Sequence, residues 1–376
     1  MSENISKIKV MTIVGTRPEL IRLSRVISKL DTNMNHILVH TGQNYDYELN
    51  EIFFEDLDIP RPNYLLNIDT TSLGTVLGDT LIKIEPIIEN ERPDAVLILG
   101  DTNSAIASII VKRKHIPIYH MEAGNRSFDL NVPEEINRKI IDHLSDVNLT
   151  YSEIAKNNLI KENIHPDKIF KIGSPLDEVY NFYKDKIHSS KILEKFKLKK
   201  NNYYLISVHR EENIDTIKNL EKFVSLLKYL NKSKNEKVIV TTHPRTMKRL
   251  KLLKLKNMKN VILSKPFSYT DYACLQQNSK IVLSDSGSIT EESSILNFSA
   301  INLRSTNERQ EGMSYGTVPM VHFDLNIIRN VINFSLKNHK NKRKILDYES
   351  PDFSKVFYNI LISYIDYVKK YTWKLN

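Results

Sequence analysis

The sequence predicts an α/β protein made of two doubly wound parallel-sheet units in tandem, and three observations carry that prediction. Short apolar runs alternate with amphipathic stretches from residue 8 onward, the rhythm breaks at a charged stretch and then restarts, and polar residues recur directly after the apolar runs. Parallel neighbours need a crossover between them, so alternating strand and helix signals point to a parallel sheet.

The first set of strand-like runs is Ile8 to Val14, Ile37 to His40, Ala95 to Leu99, Ile116 to His120 and Val147 to Leu149. The second is Tyr203 to Val208, Lys237 to Thr241, Val261 to Leu263, Ile281 to Leu283 and Ala300 to Leu303. A length of 376 residues also exceeds what one hydrophobic core usually organises. The boundary is expected near Gly173 to Lys200, where a Gly-Ser-Pro turn leads into helical, lysine-rich sequence. Residues 1–180 then form the first domain and 190–350 the second. A final helix within 352–376 carries Val356, Ile360, Leu361 and Tyr364 at helical spacing and is expected to pack back on the first domain.

Fifty-four Lys plus Arg against 45 Asp plus Glu give a net charge of +9, which suits an anionic partner such as a nucleotide, a nucleic acid or an acidic membrane. The lysine runs Lys195 to Lys200 and Lys248 to Lys259 have few interleaved aromatics, so they read as solvated helix faces and not as a nucleic-acid surface. A single cysteine, Cys274, excludes an intramolecular disulfide framework and a Cys-rich zinc site; it reads as core. No apolar run approaches the roughly 18 residues that span a bilayer, and Met1 to Lys9 lacks a signal-peptide stretch. A cytoplasmic protein without membrane insertion is expected.

Open parallel sheets bind ligands at the carboxyl ends of their strands. Here those ends carry Gly15-Thr16-Arg17-Pro18-Glu19, Thr41-Gly42-Gln43, Gly100-Asp101-Thr102-Asn103, His120-Met121-Glu122-Ala123-Gly124, Ser207-Val208-His209-Arg210, Thr242-His243-Pro244-Arg245 and Ser284-Asp285-Ser286-Gly287. Asp101, Glu122 and Glu134 form an acidic set able to converge. Glu134 and Arg138 are four apart on the helix Pro133 to Leu144, opposite an apolar stripe of Ile136, Ile140 and Leu144, so the pair is expected to face a cleft or solvent. Ser284 to Ser288 before a helix start offers backbone N–H groups to a phosphate, or serves as a simple N-cap turn. Arg17, Arg210 and Arg309 could supply the positive groups a diphosphate requires, although each taken alone reads more often as a surface arginine. Neither the GxGxxG fingerprint nor the Walker sequence is present, which argues against a dinucleotide site or an ATPase. His209 and His243 lack the spacing of a metal motif, so no metal is expected.

Taken in series, Gly15-Thr16-Arg17-Pro18-Glu19, Gly100-Asp101-Thr102, His120 to Gly124, Pro133-Glu134-Glu135-Ile136-Asn137-Arg138, Ser284 to Gly287 and Glu308-Arg309 make the chain resemble the non-hydrolysing UDP-N-acetylglucosamine 2-epimerases over residues 8 to about 320. The resemblance implies a GT-B-type fold, with two Rossmann-like domains closing over a UDP-sugar, no metal or nicotinamide, and usually a homodimer. It further implies elimination of UDP to a 2-acetamidoglycal, then re-addition with the C2 proton on the opposite face. Carried over by motif, Asp101, Glu122 and Glu134 resemble the acid/base set, with Arg138 ordering them and His209 assisting at the diphosphate or leaving oxygen. Arg17, Arg22, Gln43, His209, His243, Ser286, Gly287, Glu292 and Arg309 resemble the UDP-sugar shell. Glu292 is placed at the ribose hydroxyls, and Tyr272 or Phe267 at the uracil.

Departures refine the expectation. The usual lysine after the loop arginine is Arg22, Ser-Gly-Gly reads Ser286-Gly287-Ser288, and the segment tied to an activating UDP-GlcNAc reads Gln43 to Tyr47. The strings Gly124 to Asp129, Thr41 to Glu48 and Glu291 to Leu296 resemble a capsule and O-antigen branch that makes UDP-N-acetyl-L-fucosamine from UDP-2-acetamido-2,6-dideoxy-L-talose. A rhamno/quinovo pair of L-sugars is equally compatible with these strings; the L-fucosamine reaction is favoured over UDP-GlcNAc, which is the alternative. A GT-B glycosyltransferase and a hydrolysing epimerase are the competing readings.

Overall fold

The computed structural model describes residues 7–42, 47–208, 210, 213, 216–232, 235–242, 258–337 and 343–374, with the backbone alone described for 47–51. The chain divides into two units, one formed by Met1–Asn181 with Asp347–Asn376 and the other by Phe182–Leu346, and the division falls within the helix Pro175–His188.

The first unit carries seven strands: β1 (Lys9–Val14), β2 (Asn35–His40), β3 (Tyr64–Leu65), β4 (Ala95–Leu99), β5 (Ile118–Met121), β6 (Val147–Thr150) and β7 (Ile169–Lys171). All pair in parallel, in the order β3-β2-β1-β4-β5-β6-β7. Strand order reverses between β1 and β4, and a crevice forms beyond the carboxyl ends of strands at such a switch point. Met11, Ile13, Val39, Val96, Ile98 and Ile118 of the sheet are buried in one cluster with the helix residues Ile84, Ile88 and Ile141. Strands β3 and β7, of two and three residues, are edge strands that no apolar run announced.

The final helix, Phe353–Tyr367, belongs to the first unit. It buries Phe353, Phe357, Leu361 and Ile365, while Val356 and Ile360 are only partly covered. Tyr119 of β5 donates its hydroxyl to the Leu361 carbonyl at 3.1 Å and meets Phe357 edge-on at 6.2 Å between centroids. The helical spacing marked this element, but the face it buries is rotated by about one residue.

The second unit holds β8 (Tyr203–Ser207), β9 (Lys237–Thr241), β10 (Val261–Ser264), β11 (Ile281–Ser284) and β12 (Ala300–Asn302). They too are parallel, in the order β10-β9-β8-β11-β12, with a reversal between β8 and β11. Ile206, Val238, Val240, Leu283 and Ile301 form its core with Phe223, Leu226 and Leu227 of the helix Ile217–Leu230. Thr216 caps that helix by accepting from the Asn219 N–H at 3.2 Å. Cys274 is buried, as a core thiol. Among the described residues no helix is long and apolar enough to cross a membrane.

Candidate active site

Strand β1 delivers Gly15 and Thr16 to the start of the helix Arg17–Asn33. Thr16 has the extended backbone of an N-cap, yet its side chain does not cap the helix. It donates instead to Glu19 Oε1 at 2.9 Å, and the Gly15 N–H donates to Glu19 Oε2 at 2.6 Å. Glu19 thus reaches back from the third helical position, as the acidic half of a capping box does. It is 2% exposed. Burial pushes its carboxyl up to about 7, and the charge of Asp101 adds to that, against the hydrogen bonds from Gly15, Thr102 and Thr16. Arg17 is half-buried, its guanidinium 5.6 Å from the centroid of the Phe53 ring.

Two carboxylates stand at adjacent strand ends, each with its own arginine. Gly100, at φ 76°, turns the chain out of β4 into Asp101, and Glu122 itself takes a positive φ of 69° after β5. Arg22 forms a buried ion pair with Glu122, which also accepts from Asn125 Nδ2 at 3.4 Å. Arg138 Nε lies 2.6 Å from Asp101 Oδ2, and Arg138 Nη1 donates to Glu135 Oε2 at 2.7 Å. Asn137 Nδ2 adds a bond to the Asp101 carbonyl at 2.9 Å. Burial opposes ionisation of Glu135, but the Ser127 N–H and Arg138 hold it below its ordinary range.

The helix Pro133–Leu144 corrects the expected orientation. Ile136, assigned to an apolar stripe, is 51% exposed, whereas Glu135, Asn137, Arg138, Ile141 and Asp142 are buried. Arg138 therefore faces inward, bound to Asp101 and to Glu135, the neighbour of the half-buried Glu134. The polar face goes in because its charges meet partners, Arg138 shared by Asp101 and Glu135 and Asp142 placed between His120 and Arg126, which offsets part of the cost of burying them.

In the second unit, Asp285 is fully buried and accepts from the Arg210 N–H at 2.9 Å and from Asn213 Nδ2 at 3.0 Å. The Ser286 N–H donates to Ser284 Oγ at 3.1 Å, and the Ser286 and Ser288 hydroxyls are 2.9 Å apart. Glu292 accepts from Ser288 Oγ at 2.7 Å and from Gln276 Nε2 at 2.6 Å. Tyr272 stands with this group: burial raises its phenol, as do Glu292 and Asp285, while a hydrogen bond with Ser207 works the other way. Phe267, the other aromatic considered for a base, packs edge-on against Phe196 at 5.8 Å. Arg309 is buried, with Nε on Glu291 Oε1 at 2.6 Å and Nη1 on Glu308 Oε1 at 3.1 Å. Its charge is already matched by two carboxylates. A Cβ on Gly287 would collide with the Glu308 carboxylate and the Arg309 guanidinium, so a larger residue here must push these side-chain ends aside.

The structure thus gathers Arg17, Arg22, Asp101, Glu122 and Arg138 at the β1, β4 and β5 ends, and Tyr272, Ser286, Gly287, Glu292 and Arg309 around the β11 end. Gln43, His209 and His243 lie outside the described residues. Sequence reasoning passed over Glu19, Glu135 and Glu291, the carboxylates that fix the arrangement. For Glu19 a signal was present: Thr16-Arg17-Pro18-Glu19 is a capping-box spacing.

Two Rossmann-like units, each with charged and hydroxyl groups collected at the strand ends where order reverses, define a GT-B-type enzyme of sugar-nucleotide chemistry. A family model for UDP-N-acetylglucosamine 2-epimerase matches residues 28–361. A UDP-N-acetylglucosamine 2-epimerase from Rickettsia bellii superposes with a TM-score of 0.90 at 45% identity, over 98% of this chain and 99% of that one. The Methanocaldococcus jannaschii UDP-GlcNAc 2-epimerase in complex with UDP-GlcNAc and UDP gives 0.88 at 33% identity, over 95% of this chain and all of that one. A Pseudomonas aeruginosa UDP-2,3-diacetamido-2,3-dideoxy-D-glucuronate 2-epimerase is 35% identical over 319 residues, 83% of this chain and 88% of that protein. The chain belongs to the UDP-N-acetylglucosamine 2-epimerase family and is an isomerase, a UDP-sugar 2-epimerase.

Proposed function

We propose that the enzyme inverts C2 of UDP-2-acetamido-2,6-dideoxy-L-talose to give UDP-N-acetyl-L-fucosamine, a precursor of capsule or O-antigen polysaccharide. The observation that carries the chemistry is the pairing of two carboxylates on neighbouring strand ends with separate buried arginines, Asp101 with Arg138 and Glu122 with Arg22. The C2 hydrogen has no adjacent carbonyl and becomes acidic only as the C1–O bond breaks. A carboxylate takes the C2 proton, the C–H electrons form the C1–C2 double bond, and the C1–O electrons leave with UDP. In the second half, a diphosphate oxygen adds back to C1 and a proton is delivered to the other face of C2. One base serves one face, so two differently placed carboxyl groups suit an inversion.

Asp101, Glu122 and Glu134 are the acid/base set in this reading, with Arg138 ordering them and His209 at the leaving oxygen. Arg17, Arg22, Gln43, His243, Tyr272, Ser286, Gly287, Glu292 and Arg309 form the UDP-sugar shell, with Glu292 on the ribose and Tyr272 by the uracil. The first domain, completed by the final helix, supplies the carboxylates; the second holds UDP; the active form is a homodimer. The L-sugar assignment rests on the strings Gly124 to Asp129 and Thr41 to Glu48. The Pseudomonas aeruginosa relative, named for a diacetamido uronate, shows that likeness at this level does not restrict the family to one sugar. UDP-GlcNAc is the second reading, favoured by the Methanocaldococcus jannaschii complex. Parallel turnover of the L-talo, L-rhamno and D-gluco UDP-sugars decides between them: the L-talo substrate should give the highest kcat/KM, and preference for UDP-GlcNAc would overturn the assignment.

A further inference from the structure

Behind the two carboxylates lies a second, fully buried set of charged groups, in which His120 joins three elements. Its Nδ1 is 2.8 Å from Asp142 Oδ1 and its Nε2 is 3.0 Å from the Gly100 carbonyl oxygen. The ring thereby ties the turn after β4 to the helix Pro133–Leu144. Asp142 in turn accepts from the Gly124 N–H at 3.2 Å and from Arg126 Nη1 at 2.7 Å. Arg126 reaches on to Glu162 and donates to the Asn125 carbonyl.

The position of this pair relative to the strand ends is what gives it a role. Gly100 precedes Asp101, and Gly124 follows Glu122 by two residues. Gly100, Glu122 and Gly124 all have left-handed backbone, with φ of 76°, 69° and 80°. For Glu122 that conformation is strained, and it persists only where the surroundings fix it. A Cβ on Gly124 would strike the Ala155 carbonyl, so that turn is fixed from its other side as well.

We propose that His120 and Asp142 are positioning residues for the epimerisation, a buried imidazole–carboxylate pair that pins the Gly100 and Gly124 turns together and so sets the placement of Asp101 against Glu122. This rests on the reading of Asp101 and Glu122 as the reacting carboxylates. His120 and Asp142 are each 1% exposed, so their loss should act through the strand ends on kcat and leave binding in place.

The test uses full-length His120→Ala, His120→Gln and Asp142→Asn enzymes, with kcat and KM measured by C2 deuterium exchange in D₂O, UDP affinity by calorimetry, and the folded fraction by thermal melting. Displacement of a reacting group by about 1 Å costs about 100-fold. The expected result is a loss of kcat of that order in His120→Ala, with KM and UDP affinity within about twofold of wild type. His120→Gln, which retains an amide to reach the Gly100 carbonyl, should recover part of that loss. Should His120→Ala fail to fold, the His120→Gln and Asp142→Asn variants carry the same comparison. Wild-type kcat in a folded His120→Gln and Asp142→Asn pair overturns the proposal, as does a loss confined to KM. If the wild-type enzyme exchanges no C2 proton with any of the L-talo, L-rhamno and D-gluco UDP-sugars, the reading of Asp101 and Glu122 as the reacting carboxylates fails and the positioning role falls with it; exchange in wild type with unaltered variants removes the positioning role alone.

Discussion

Arg138 Nε sits 2.6 Å from Asp101 Oδ2 and, through Nη1, 2.7 Å from Glu135 Oε2, so one guanidinium links the end of β4 to the first turn of the helix Pro133–Leu144. Removing it leaves two carboxylates without their shared cation. Arg138→Met should therefore lose about 3 kcal/mol of stability in urea denaturation, together with a fall of at least about 100-fold in C2 exchange. Full activity in that variant would remove Arg138 from the ordering role.

Glu122 combines burial, an arginine partner and a left-handed backbone. Glu122→Gln retains the shape and the contact to Arg22 but cannot accept a proton. C2 exchange should drop by about 100-fold or more while UDP affinity by calorimetry stays near wild type. Normal turnover would take Glu122 out of the acid/base set.

Glu19 gives the chain a pH dependence of stability whose sign follows from its environment. Its carboxyl is pushed up to about 7 in the folded protein, from 4.5 ordinarily. Between those values the folded state keeps a proton that the unfolded state has lost, so the contribution is fully present below the lower value and falls away as pH rises through the upper one. The difference corresponds to roughly 3 kcal/mol. Glu19→Gln should flatten this slope, and urea denaturation at pH 5 and pH 8 should show the variant gaining on wild type only at the higher pH.

Gly287 is fixed by the close approach of Glu308 and Arg309. Gly287→Ala should push these side chains away and weaken UDP binding by about tenfold, or about 1.4 kcal/mol, without changing the Glu122-dependent step once UDP-sugar saturates. A calorimetric titration with UDP reads the first effect and saturating kcat the second.

The parallel sheets were legible because many of the strands are short, mostly apolar runs: Ala95 to Leu99 and Tyr203 to Val208 read as buried strands, and Ala95–Leu99 and Tyr203–Ile206 are buried in β4 and β8. Tyr64–Leu65 and Ile169–Lys171 escaped because two or three residues at a sheet edge leave no periodic signal. The helix Pro133–Leu144 was misoriented for a different reason. Hydrophobic spacing assumes that charge faces water, and here Arg138 and Asp142 are buried because each finds a partner in a distant segment, while Glu135 is held by Arg138 of its own helix and by Ser127 of the preceding loop. Glu19 was announced by its capping-box spacing; only its nearness to Asp101 and Thr102 needs β1 and β4 side by side. Residue types at strand ends therefore marked where charged and hydroxyl groups gather, while their pairing belongs to tertiary structure.

The account stands most directly on deuterium incorporation at C2, followed by NMR as the protein turns over UDP-2-acetamido-2,6-dideoxy-L-talose in D₂O. It predicts that both epimers acquire deuterium at C2 as the mixture approaches equilibrium, with UDP returned to the sugar. A product that retains its original C2 hydrogen, or irreversible release of UDP and free sugar, would contradict it.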